Sequence, residues 1–170
     1  MLLKALIGVV LCIIALTNDA AATEQQLIPA GYYVWCENNP ASCEDVEPVK
    51  VPLKEAILAP IETVNRLVNQ YIIAQIEDPG MDVWQLNPNT GDCEDYVLTK
   101  RWYLINDVGF PPGAFVLVLV KTEHVIPEWH LVLGIRTDSP YADGIIMLDN
   151  RTNEIGYLAD SKYEIVSFLN

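Results

Sequence analysis

Gly91-Asp92-Cys93-Glu94-Asp95-Tyr96 is the stretch on which the reading of this chain turns. It sets one cysteine among three carboxylates, at the head of a run over 92–106 that reads as a helix. Asp92 is a natural N-cap, so Cys93 falls at the helix start, where free N–H groups and the dipole favour a thiolate. The acids beside it work against a thiolate and call for a separate explanation. Along the run, Val97, Arg101, Trp102 and Ile105 share the Cys93 face. Downstream stand His130 and Asp149. Those three residue types suit nucleophilic catalysis: an imidazole takes the thiol proton, and a carboxylate fixes its tautomer and supports the imidazolium.

The pattern on either side fills in the fold class. Ile61, Val64, Leu67, Val68, Tyr71 and Ile72 recur at three- and four-residue spacing and predict a helix over 61–75. Pro60 sits just before it and Asp78-Pro79-Gly80 stops it, with a loop from Met81 to Gly91. After the second helix and the Gly109–Gly113 turn, strands are predicted over 114–121, 129–136, 144–148 and 163–168. Helices first and an antiparallel sheet afterwards make an α+β fold, with the cysteine helix packed on the sheet. His130 opens one strand and Asp149 ends the next, so a hairpin sets them side by side. Each member alone has a bland reading: Cys93 an inert buried thiol, His130 a strand-edge histidine, Asp149-Asn150 a turn. Their order along an α-then-β layout is what favours catalysis. His124, the only other histidine, reads as exposed.

Residues 1–22 have the layout of a secretory signal peptide: a basic start at Lys4, an apolar run from Ala5 to Leu16, and Ala20-Ala21-Ala22 for cleavage. That run is too short to span a bilayer. Residues 23–170 then form a single domain, beginning with an irregular arm over 23–52. A net charge of −13 argues against nucleic acid and anionic membranes as partners, and leaves divalent cations and proteins. Secretion places the chain in an oxidising compartment, where Cys36 and Cys43 are expected to pair as a disulfide. Cys93 is the odd thiol left over, which points to its use.

Asp92, Glu94 and Asp95 lie too close together to act as the separated acid pair of a glycosidase. Two readings stand side by side. Three oxygen ligands at one helix start suit calcium, and acids at a helix N-terminus equally suit the dipole with no metal at all.

Gly91 to Tyr96, with Lys100 and Leu104 beyond, resembles the signature of the bacterial transglutaminase-like cysteine proteinases. Val64-Asn65, Val68-Asn69 and Asp82-Val83-Trp84 upstream are similar to that family's helix and tryptophan loop. His130-Leu131-Val132-Leu133 and Leu148-Asp149-Asn150 resemble its histidine strand and L-D-N segment. The match runs in order over about residues 60–155. The resemblance implies a papain-like, transglutaminase-type core with a Cys93-His130-Asp149 triad and no organic cofactor. LapG-like members are periplasmic, calcium-dependent endopeptidases that cut adhesins, which would place Ca2+ on Asp92, Glu94 and Asp95. The arm with its Cys36–Cys43 pair resembles the shorter, rhizobial-type branch. Trp129 stands where relatives carry a small residue, which would narrow the cleft.

The sequence therefore predicts a secreted or periplasmic cysteine endopeptidase acting on a protein such as a surface adhesin. Its oxyanion donors would be the Cys93 N–H and a group from Gln85 or Asn87. Two other activities fit the same residues: acyl transfer to an amine as in a transglutaminase, and a non-catalytic, calcium-dependent peptide-binding module.

Overall fold

The computed structural model describes residues 27–78 and 80–169, so the expected signal peptide and Pro79 lie outside the described residues. Its centre is an antiparallel sheet whose strands alternate apolar residues on two covered faces. The strands are β3 (Phe115–Lys121), β4 (Trp129–Arg136), β5 (Ile145–Leu148), β6 (Gly156–Tyr157) and β7 (Glu164–Leu169), in the order β6-β5-β4-β3-β7. β3 shows why. Phe115, Leu117 and Leu119 join one buried cluster, while Val116, Val118 and Val120 join another with Val132 and Leu158. A strand buried on both sides reads as a continuous apolar run, which is how 115–120 appears.

The first cluster is completed by α3 (Cys93–Asn106), whose Val97, Leu98 and Leu104 pack with Leu131, Leu133 and Ile135 of β4. Trp102, expected on the Cys93 face, lies nine residues on and so half a turn round α3, and it is exposed; the helix buries Glu94 to Lys100 almost all round. Next to α3 runs α2 (Glu55–Tyr71), with Ile61 in the same core.

This helix corrects the expected 61–75 at both ends. It begins six residues earlier because Glu55-Ala56-Ile57-Leu58-Ala59 are good helix formers, and Pro60 is carried inside it rather than ahead of it. Pro60 forfeits one early hydrogen bond, a cost the neighbouring helix formers and the burial of Ile61 offset. At the far end the chain leaves the helix at Ile72. It forms β1 (Ile73–Ala74), paired in parallel with β2 (Thr90–Gly91). The pairing is fixed by Ile73 N–H to Asn89 O at 3.0 Å and Gln75 N–H to Gly91 O at 2.9 Å. Such a non-local pairing leaves no periodic trace in sequence. It delivers the chain to the start of α3.

The arm is also less irregular than expected. α1 (Ala30–Asn38) is a helix, followed by a 3₁₀ turn at Pro40–Ser42, and Cys36 and Cys43 are joined as a disulfide. α1 lacks a one-sided apolar stripe; tertiary contact places it. Gly31 N–H donates to Asp82 Oδ2 at 2.5 Å, and Trp84 Nε1–H donates to Asp82 Oδ1 at 2.8 Å. The backbone of Gly31 lies so close to Asp82 and Trp84 that a Cβ has no room. Further on, the arm straps the sheet end, Val51 bridging Thr137 and its N–H reaching Arg136 O at 3.0 Å. No helix among the described residues is long and apolar enough to cross a membrane.

Candidate active site

α3 starts where the sequence places it. Asp92 and Asp95 form a reciprocal capping box, with Asp92 N–H donating to Asp95 Oδ2 at 3.3 Å. Asp95 Oδ1 accepts from Gln85 N–H at 2.7 Å, and Thr99 Oγ1 accepts from Asn87 N–H at 3.0 Å. The loop ahead of Cys93 is thereby clamped along α3. It also means that the backbone N–H groups of Gln85 and Asn87, the region expected to supply an oxyanion donor, are already engaged with α3. Gly91 packs against the Asp95 side chain with no space for a Cβ.

Cys93 is partly buried and free of any disulfide. Its thiol donates to Glu94 Oε2 at 3.2 Å. Burial pushes the thiol up, the Glu94 and Asp92 charges push it further, and a backbone hydrogen bond from Leu131 pulls the other way. Leu131 follows His130, so the start of β4 lies against the thiol. Among the described residues, thiol and imidazole are not themselves hydrogen-bonded.

His130 and Asp149 are brought together. Nε2 lies 2.8 Å from Asp149 Oδ1, with both side chains 2% exposed. Since Nε2 is engaged by the carboxylate, Nδ1 is the nitrogen left for a thiol. Asp149 carries more donors than this one: Arg151 N–H reaches Oδ1 at 2.9 Å and the Tyr163 hydroxyl reaches Oδ2 at 2.6 Å. Burial pushes the carboxyl up, but the His130 hydrogen bond and charge, with Tyr163 and Arg151, outweigh it and hold the carboxyl down at about 2. The Tyr163 ring stands edge-on to His130 at 5.7 Å. From α2, Asn69 Nδ2–H donates to Asp149 O at 3.0 Å and to Thr152 O at 2.8 Å, and Asn65 Nδ2–H donates to Thr152 O at 3.0 Å. The carboxylate is thus fixed on a turn pinned to α2.

The acidic cluster differs in membership from the expected one. Glu77, Asp92 and Glu94 bring carboxylate oxygens within 4.8 Å of one another, while Asp95 is turned to backbone N–H groups. Glu94 is pushed up to about 8 by burial and by Asp92, and Asp92 Oδ1 is buried with no donor. Oxygen donors crowded at this charge fit a hard cation such as calcium. Glu77 sits fifteen residues from Asp92 on a loop, so no local motif marked it. Tyr163, Asn65 and Asn69 were likewise not singled out as site residues, because their partners are backbone or buried carboxylate groups set only by the fold.

A family model of the bacterial transglutaminase-like cysteine proteinases matches residues 22–168. The chain belongs to that family. It is a cysteine peptidase, with proteins as its class of substrate. No curated protein matches the chain. Among solved structures, calcium-bound LapG of Legionella pneumophila is similar over 86% of this chain and 80% of that one, at 19% identity and TM-score 0.54. EGTA-treated LapG aligns over 86% and 77%, at 19% identity and TM-score 0.54. A third LapG structure aligns over 86% and 80%, at 18% identity and TM-score 0.55. At these identities the likeness establishes the fold: an α+β, papain-like core of the transglutaminase type. In this cysteine proteinase Trp129 is 52% exposed beside His130, with the Lys121 ammonium 4.7 Å from its ring centre.

Proposed function

We propose that this chain is a periplasmic or secreted cysteine endopeptidase in which Cys93, His130 and Asp149 form the catalytic triad. The observation that carries the reading is the buried His130–Asp149 pair at 2.8 Å, with Cys93 at the start of α3 packed against the core cluster that holds Leu131, the residue after His130. His130 takes the thiol proton at Nδ1 as Cys93 Sγ attacks the peptide carbonyl carbon. It then returns that proton to the leaving amine, giving a thioester that water hydrolyses to acid and free thiol. Asp149 holds Nε2–H and supports the imidazolium between those steps. The Cys93 backbone N–H, unpaired within the first turn of α3, serves as one oxyanion donor.

Glu77, Asp92 and Glu94 would hold calcium. When bound, the ion supplies positive charge that offsets the carboxylates beside the thiol. Glu94, which accepts a hydrogen bond from the Cys93 thiol, would there serve as a ligand, leaving the thiol to His130. A cell-surface protein such as an adhesin is the proposed substrate, on the chain's resemblance to adhesin-cutting members of its family. The apolar leader of residues 1–22 supports the compartment.

The test is mass spectrometry of a glutamine-containing polypeptide incubated with the protein, calcium and a primary amine. Backbone scission that stops in Cys93→Ala is expected. Amine incorporation at glutamine would replace hydrolysis by acyl transfer. Neither product, with peptide binding intact in Cys93→Ala, would leave a binding module.

A further inference from the structure

Tyr163 stands in the short link between a 3₁₀ turn (Leu158–Asp160) and β7. Its N–H donates to Ser161 Oγ at 3.4 Å, and the next residue, Glu164, pairs with Lys121 of β3. The ring packs against the cluster of Val116, Val118, Val120, Val132 and Leu158. Val132 is two residues from His130 and so lies on the same face of β4. Tyr163 therefore reaches the site from the face of the sheet on which His130 lies.

Two contacts result. The hydroxyl donates to Asp149 Oδ2 at 2.6 Å, and the ring centre stands 5.7 Å from that of His130, edge-on. The two carboxylate oxygens are partnered unequally. Oδ1 takes His130 Nε2 at 2.8 Å and Arg151 N–H at 2.9 Å, whereas among the described residues Oδ2 has Tyr163 alone. An ionised carboxylate only accepts, so the hydroxyl keeps its proton; burial and the Asp149 charge both push the phenol up. The terminal torsion of an aspartate is broad and roughly two-fold, so it does not fix itself. Partners on both oxygens fix it here, because the side chain is buried away from solvent donors.

We propose that Tyr163 is a positioning residue for the reaction: its hydroxyl holds Oδ2 so that Oδ1 faces His130, and its ring backs the imidazole so that Nδ1 stays free for the thiol. The inference rests on the reading of Cys93, His130 and Asp149 as the triad. Its two contacts are separable, since phenylalanine keeps the ring and drops the hydroxyl, while leucine drops both.

The test is proton NMR of the His130 Nε2–H and its exchange with water at pH 7, in wild type, Tyr163→Phe and Tyr163→Leu, beside thermal unfolding. In folded Tyr163→Phe the N–H is expected to exchange several-fold faster than in wild type, because the carboxylate that holds it has lost its second anchor. Tyr163→Leu is expected to exchange faster still. Exchange at the wild-type rate in Tyr163→Phe would overturn the proposal, since a ring that only fills space has no use for the hydroxyl. Failure of Tyr163→Phe to fold would overturn it too, by making the hydroxyl structural. Polypeptide scission is expected to slow in the same order, and scission at the full rate in Tyr163→Phe would likewise count against it. The N–H measurement also works in a Cys93→Ala background and needs no peptidase activity. A chain that shows the expected exchange yet cuts no polypeptide therefore fails on the proposed function and keeps Tyr163 assigned to the pair.

Discussion

Asp149→Asn is the perturbation whose size the structure sets most directly. The carboxylate accepts from His130, Arg151 and Tyr163 at 2.8, 2.9 and 2.6 Å. An amide placed with its oxygen toward His130 and Arg151 keeps two of those bonds, and the Tyr163 hydroxyl turns to accept from the amide N–H. What the variant loses is the charge. A carboxyl held at about 2, against an ordinary 3.8, is worth about 2 kcal/mol at neutral pH, at about 1.4 kcal/mol per pH unit. The sign follows from the depressed value: the stability is present above 3.8 and is lost as pH falls through about 2. Urea unfolding at pH 7 should find Asp149→Asn less stable than wild type by about 2 kcal/mol, and at pH 3 by only about 1 kcal/mol. Comparing the two proteins at each pH cancels the other acids. A gap that stays constant from pH 7 to pH 3, or an asparagine variant more stable than wild type, would refute the reasoning.

Gly91→Ala drives a Cβ into the Asp95 carboxylate and breaks the capping box; thermal unfolding should show a loss of about 1–3 kcal/mol. Glu94→Gln removes a charge that, next after burial, raises the thiol once Glu94 is ionised above about 8, so in chelator its Cys93 should alkylate several-fold faster than wild type at pH 9. Equal or slower alkylation would show that Glu94 does not restrain the thiol. Millimolar calcium should raise the melting temperature of wild type and do so far less for Glu77→Gln, whereas equal shifts would remove Glu77 from the cation site.

Four of the five strands described in the central sheet were legible to within a residue, 115–120 and 129–136 most plainly as long, β-rich runs bounded by turn residues; β6 is two residues long and forms by pairing with β5, which leaves no such run. α3 was equally plain, since Asp92 and Asp95 write its cap locally. What escaped were features made by distant partners. β1 and β2 exist because Ile73 meets Asn89, and α1 exists because Gly31 meets Asp82. Proline at position 60 looked like a boundary, yet the helix formers ahead of it carry the helix through. At the site, His130 and Asp149 followed from strand order alone. Glu77 and Tyr163 did not, because a loop and a turn before the last strand bring them in from elsewhere in the chain. Lys100 stood in the stretch that resembles the family signature, but its complete burial is set by the fold.

The central claim is that Cys93 is activated by His130, and the pH dependence of iodoacetamide alkylation at Cys93 tests it most directly. Wild type and His130→Ala are compared with calcium and with chelator. The account predicts that with calcium the wild-type rate reaches its plateau near pH 6 and loses it in His130→Ala. It also predicts that chelator moves the wild-type rise to higher pH, as the carboxylates and burial raise the thiol. A rise near the ordinary thiol value of about 8.5 in both proteins, indifferent to calcium, would contradict it.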